Sequence, residues 1–94
     1  PIYPDCRPEF IEAFWRMEAA SMPDSGIALA APFLMKSKTE IVALGNTLGV
    51  PFSLTWSCYE GNEVHCGRCG TCVERREAFA LAGVHDPTVY SQTD

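Results

Sequence analysis

The sequence predicts a small, α-rich fold with little strand, pinned at one end by a cysteine loop. Three observations predict it. Apolar residues recur at helical spacing in three stretches, near residues 8–21, 38–48 and 71–82. One short apolar run, Ile27-Ala28-Leu29-Ala30-Ala31, reads as a buried strand near 27–31 and stops at Pro32. Four of the five cysteines fall close together, at positions 58, 66, 69 and 72.

The elements follow in order. Pro1 to Arg7 is turn-like, because two prolines disfavour helix there. Pro8 suits a first helical position. Phe10, Ile11, Phe14, Trp15 and Met17 then supply a core face, with Glu9, Glu12, Arg16 and Glu18 on others, until Ser21-Met22-Pro23. Asp24-Ser25-Gly26 is a turn, and Phe33-Leu34-Met35 is a connector. Ser37-Lys38-Thr39-Glu40 is a capping box for the next helix. Ile41, Val42, Leu44 and Leu48 are its apolar face, and Gly49 and Pro51 end it. Phe52 to Trp56 alternates, as a short strand or an extended lead-in. Thr71-Cys72-Val73-Glu74 is a second capping box, which places Cys72 where the helix dipole favours a thiolate. Val73, Phe79, Ala80 and Leu81 are expected inside, Gly83 stops the helix, and the rest is an irregular tail.

The cysteine spacing carries chemistry. Cys66-Gly67-Arg68-Cys69-Gly70-Thr71-Cys72 holds two overlapping Cys-x-x-Cys steps. The glycines allow a tight knuckle whose N–H groups point at sulfur. Cys58 closes a tetrahedron around zinc, and four thiolates leave no open position, so the site is structural. A disulfide framework and a redox Cys-x-x-Cys are the alternatives. Cysteines three apart in a knuckle pair poorly, and a fifth thiol would be left odd. His65 reads as a solvated loop residue, and the free Cys6 as a buried thiol.

Composition narrows the function. Ninety-four residues make one small domain whose core is marginal, so a metal cross-link matters. The net charge is −5 and no Lys/Arg run exists, which argues against nucleic-acid binding. Arg68, Arg75 and Arg76 are read as compensating thiolate charge and as a solvated helix face. No apolar run has membrane-spanning length and no signal peptide is evident. Reduced metal-binding cysteines point to the cytoplasm. A chain that begins at Pro1 is expected to be a piece of something longer. Lys38 sits in a first helical turn, where the dipole disfavours a cation. There it either shares an anion such as phosphate with the exposed N–H groups or is simply solvated.

These residues form one ordered series: Asp5-Cys6-Arg7-Pro8-Glu9-Phe10, Ser37 to Val42, Leu44-Gly45, Leu48-Gly49-Val50, Thr55 to Tyr59, His65 to Cys72, Ala82-Gly83 and Asp86-Pro87. The series resembles the C-terminal part of the 7-cyano-7-deazaguanine synthase family and covers essentially the whole chain. The resemblance implies an α/β, Rossmann-like parent fold of the adenine nucleotide alpha hydrolase type. Residues 1–94 would be the zinc-bearing C-terminal portion of its single domain, with the apolar strand extending a parallel sheet. The resemblance also implies a cytoplasmic, ATP-dependent ligase, with Mg²⁺, that converts 7-carboxy-7-deazaguanine and ammonia to a nitrile in queuosine biosynthesis. For the complete enzyme a homo-oligomer is one of the states left open. Cys58, Cys66, Cys69 and Cys72 carry over as structural Zn²⁺ ligands. Asp5 and Arg7 are candidates for substrate binding, and Lys38 for the ATP phosphates. An arginine suits a carboxylate substrate because it bonds in a fork. Asp5 as a helix N-cap and Arg7 in a salt bridge to Glu9 or Glu12 remain the plain readings. Trp56 and Tyr59 either border the base pocket or pack around the zinc. The family's Ser-Gly-Gly-x-Asp-Ser/Thr pyrophosphate loop has no match here, the nearest string being Pro23-Asp24-Ser25-Gly26. The piece alone is therefore not expected to adenylate anything. The alternative is a stand-alone zinc-stabilised binding module.

Overall fold

A computed structural model describes residues 3–92 and divides the chain into two compact units, Pro1–Met35 and Lys36–Asp94. Each is built differently.

In the first unit a 3₁₀ turn, Pro4–Cys6, leads into helix α1, Pro8–Ser21. Arg7 is the N-cap, with extended backbone and no side-chain capping bond, and Pro8 opens the helix. The Arg7 carbonyl receives the N–H groups of Phe10 and Ile11 at 3.1 and 3.3 Å. The helix closes at Met22, whose N–H donates to the Glu18 carbonyl. No residue of α1 is buried. Phe14, Trp15, Ala19 and Met22 instead line an apolar groove of about 270 Å³ with Ile27 and Leu29. The strand expected at 27–31 is not formed. That segment runs extended, and no strand pairs with it among the described residues. A strand needs a neighbour to take its N–H and C=O groups. Cys6 is exposed, not buried, because it sits in the turn ahead of α1.

The second unit holds the core. Helix α2, Lys38–Leu48, starts with the expected capping box: Glu40 N–H donates to Ser37 Oγ at 3.1 Å, and Ser37 N–H to Glu40 Oε1 at 2.9 Å. Gly49 ends it. Phe52–Leu54 forms a 3₁₀ turn in place of a strand, because the N–H and hydroxyl of Thr55 both bond the Phe52 carbonyl. That turn lays Phe52 on α2, where a Cβ on Gly45 would come 2.6 Å from the ring. The same ring meets Phe79 edge-on, centroids 4.9 Å apart. Helix α3, Gly70–Ala82, packs on α2. Val42, Ala78 and Phe79 form the buried centre, flanked by Phe52, Ala82 and Val84.

Three expectations for these helices are corrected. Of Val73, Phe79, Ala80 and Leu81, only Phe79 is buried. Three consecutive residues cannot share one face of a 3.6-residue helix. The inward stripe is Thr71, Cys72, Arg75, Ala78 and Phe79. On α2, Leu48 is exposed, and the buried positions are Val42 and Gly45. The capping box at Thr71 does not form either. Cys69 is the N-cap, Thr71 is buried within the first turn, and Glu74 reaches across to Lys38. The tail is ordered against the cysteine loop through a parallel bridge between His65 and Tyr90. No helix among the described residues is long and apolar enough to cross a membrane.

Candidate metal centre

The four cysteines come from two directions. Cys58 ends the extended lead-in after the 3₁₀ turn, and Cys66, Cys69 and Cys72 wrap the knuckle onto the start of α3. Their sulfurs all lie within 4.8 Å of one another. The Cys66 and Cys72 sulfurs are 4.0 Å apart, about twice a disulfide bond of ~2.05 Å, and all five cysteines are free thiols. Four sulfurs at zinc–thiolate distance, about 2.3 Å, would sit about 3.8 Å from each other. The cluster is close to that spacing.

Backbone N–H groups are aimed at the sulfurs. Glu60 and Cys66 N–H both donate to Cys58 Sγ at 3.3 Å. Arg68 and Cys69 N–H donate to Cys66 Sγ at 3.3 and 3.2 Å. The turn that makes this possible passes through Gly67 at φ +79°, a left-handed position that glycine reaches without strain. Such donors favour thiolates over thiols.

The electrostatics ask for a cation. The Thr71 hydroxyl at 3.2 Å, with the Tyr59 N–H behind it, lowers the Cys69 thiol to about 5. The Cys66 N–H draws Cys58 down as well. Cys72 goes the opposite way: it is fully buried, and burial pushes it up to about 12. A fourth thiolate is stable there only beside positive charge. Arg68 is paired with Glu60 at 3.1 Å. A divalent soft metal therefore fits the donor set, and four sulfurs leave it no position for substrate.

The surroundings differ from expectation. His65 is buried, not solvated. Its Nε2 accepts the Ser57 N–H at 3.0 Å, and its ring lies 4.2 Å from that of Trp56. Burial holds it below the usual histidine range. Trp56 packs beside the loop and donates its indole N–H to the Cys58 carbonyl at 2.7 Å. Tyr59 is largely exposed.

Arg75 is the residue that sequence reasoning missed. It is buried, and its guanidinium donates to Thr88 Oγ1, Ser57 Oγ, Phe52 O and Thr55 Oγ1 at 2.7–3.0 Å. It ties the lead-in of Cys58, helix α3 and the tail together. The signal was its place three residues after Cys72 on the inward stripe. A cleft of about 240 Å³ opens beside it, walled by Trp56, His65 and Thr88.

The other candidates lie outside the cluster. Asp5 and Arg7 are exposed in the first unit. Arg7, not Asp5 as the plain reading had it, takes the N-cap position, and it has no carboxylate partner among the described residues. Lys38 is not simply solvated: its Nζ pairs with the Glu74 carboxylate, Oε2 at 2.9 Å, across the α2–α3 seam.

Comparison with known proteins places these features. A sequence model of the family described as queuosine biosynthesis protein QueC matches residues 1–83, so the tail after Gly83 lies outside the matched region. Curated relatives named 7-cyano-7-deazaguanine synthase align along 99% of the chain. Those from Rhizobium johnstonii, Brucella anthropi and a Ruegeria species are 61%, 58% and 55% identical. The chain spans about 40% of the length of each.

Proposed function

The chain belongs to the queuosine biosynthesis protein QueC family, and from that premise we propose that it is the zinc-bearing C-terminal part of a 7-cyano-7-deazaguanine synthase. One observation carries the reading: a family match spanning both units coincides with four sulfurs gathered into one cluster, at the positions the knuckle requires. Zinc, when bound, supplies a fixed cross-link between the Cys58 lead-in and the start of α3, and no catalysis. The proposed reaction joins ammonia to 7-carboxy-7-deazaguanine at the expense of ATP and ends in the nitrile.

The chain's own residues have assigned parts in this proposal. Arg7, whose guanidinium has no carboxylate partner among the described residues, offers a fork to the substrate carboxylate, with Asp5 beside it. Lys38, at the N-terminus of α2, exchanges Glu74 for an ATP phosphate, where helix N–H groups also point. No observation favours the stand-alone binding module.

The test is a chimera in which this chain replaces the aligned part of the Rhizobium johnstonii relative. Nitrile should form from 7-carboxy-7-deazaguanine, ammonia and ATP. Arg7→Ala and Lys38→Ala should each cut the rate by about a hundred-fold, as loss of one charged contact in a reaction site does. A chimera that folds and binds zinc but makes no nitrile contradicts the assignment.

A further inference from the structure

The tail crosses directly over the cysteine knuckle. Ser91 N–H donates to the His65 carbonyl at 2.8 Å, and Gln92 N–H to the Cys66 carbonyl at 3.0 Å. The Ser91 hydroxyl adds a second bond to that Cys66 carbonyl at 3.1 Å. Tyr90, next to these bonds in the chain, packs against the cysteine cluster. The approach is as close as backbones allow, for a Cβ on Gly67 would collide with the Gln92 carbonyl. The knuckle glycine thus serves two needs at once, a left-handed turn and room for the tail.

The tail is also held from behind. Tyr90 donates its hydroxyl to Asp86 Oδ2 at 2.7 Å, while the Thr88 N–H occupies Asp86 Oδ1 at 3.0 Å. Arg75 donates to the Thr88 hydroxyl. Arg76 grips both partners: it donates to the Gly67 carbonyl at 3.0 Å, and its guanidinium lies 5.2 Å from the Tyr90 ring centre. Of the cluster, Cys58, Cys66 and Cys72 are buried.

We infer that the segment from Asp86 to Gln92 is a strap that retains the metal, and that it must lift before the cation leaves its four sulfurs. The inference rests on the zinc reading of the cluster. Its physical basis is that the tail holds the Cys66 carbonyl twice and that Tyr90 packs against the cysteine cluster, so the tail must move before Cys66 swings outward. The strap therefore governs the rate of metal exchange more than whether the site forms.

The experiment loads the full chain with zinc, confirms the stoichiometry, and follows transfer to an excess of a chromophoric chelator. Ser91→Pro deletes the N–H and hydroxyl bonds, and Tyr90→Ala removes the cover. Each should release zinc about ten-fold faster or more, the effect of losing one or two hydrogen bonds from the closed state. Val89→Ala, at an exposed position of the same segment, should keep the parental rate.

Parental rates in both strap variants, or equal acceleration in Val89→Ala, overturn the inference. A second measurement needs no variant. In the unaltered zinc-loaded chain the Ser91 and Gln92 amides should exchange slowly, and lose protection as zinc is withdrawn. Free-peptide exchange with zinc still bound overturns the strap and leaves the zinc reading intact. A chain that takes up no zinc overturns the zinc reading, and the strap with it.

Discussion

The two units solve the same problem in opposite ways. The second unit, from Lys36, buries Val42, Ala78 and Phe79 against each other and stacks a sulfur cluster beside them. The first unit is as rich in aromatic residues, yet α1 buries none of its side chains, and Phe10, Phe14 and Met17 stay substantially exposed. Apolar content alone does not make a core. What separates the units is cross-linking chemistry: one has four thiols and a buried arginine to tie non-helical segments down, and the other has a single helix followed by unpaired chain.

The strongest way to break that contrast is to remove one thiol. Cys69→Ser should lose stoichiometric zinc and unfold the second unit, since metal binding in such sites is folding free energy, roughly 10 kcal/mol or more. The α1 helix should persist. Metal analysis with far-ultraviolet circular dichroism reads both. An unchanged melting curve with full zinc would sink the cross-link account.

A paired truncation sharpens it. Phe79, only 2% exposed in the last turn of α3, should cost about 3–5 kcal/mol when changed to alanine. Phe14→Ala, at a side chain already 38% exposed, should leave the urea midpoint of the second unit unmoved. Arg75→Met is the next test. It leaves Thr55 Oγ1, Ser57 Oγ and Thr88 Oγ1 without the arginine donor, while Phe52 O keeps its Thr55 bonds, and should cost about 3 kcal/mol in urea unfolding. Arg75→Lys should not restore it, because one ammonium cannot span the fork.

The smallest effect concerns acid. The N–H and hydroxyl of Ser37 hold Glu40 below the usual carboxylate range. A carboxylate depressed in the folded state stabilises it fully above the ordinary glutamate pKa, and that contribution disappears as pH falls through the depressed value. The start of α2 should therefore loosen only in that acid window. Glu40→Gln should remove the dependence, as followed by the Ser37 amide resonance.

Much of this was legible in residues. The three helices, the Ser37–Glu40 box and the gathering of Cys58, Cys66, Cys69 and Cys72 all follow from local rules of spacing and capping. What was not legible depends on distant partners. Ile27 to Ala31 has strand composition, but no pairing strand lies among the described residues. Arg75 looked like surface charge because its four acceptors lie 13 to 23 residues away. The tail carried no periodic signal, since a strap held by backbone N–H groups and one tyrosine needs none. Thr71 matched a capping motif, yet Cys69 became the N-cap because the knuckle dictates where α3 begins.

In the zinc reading, four sulfurs hold one cation and thereby close the second unit. The most direct measurement is titration of the reduced chain with cobalt, followed by displacement with zinc. The account predicts one metal per chain, intense visible bands of tetrahedral thiolate ligation, and helical signal gained in step with binding. A chain that folds fully without metal, or one whose bands require fewer than four thiolates, would contradict it.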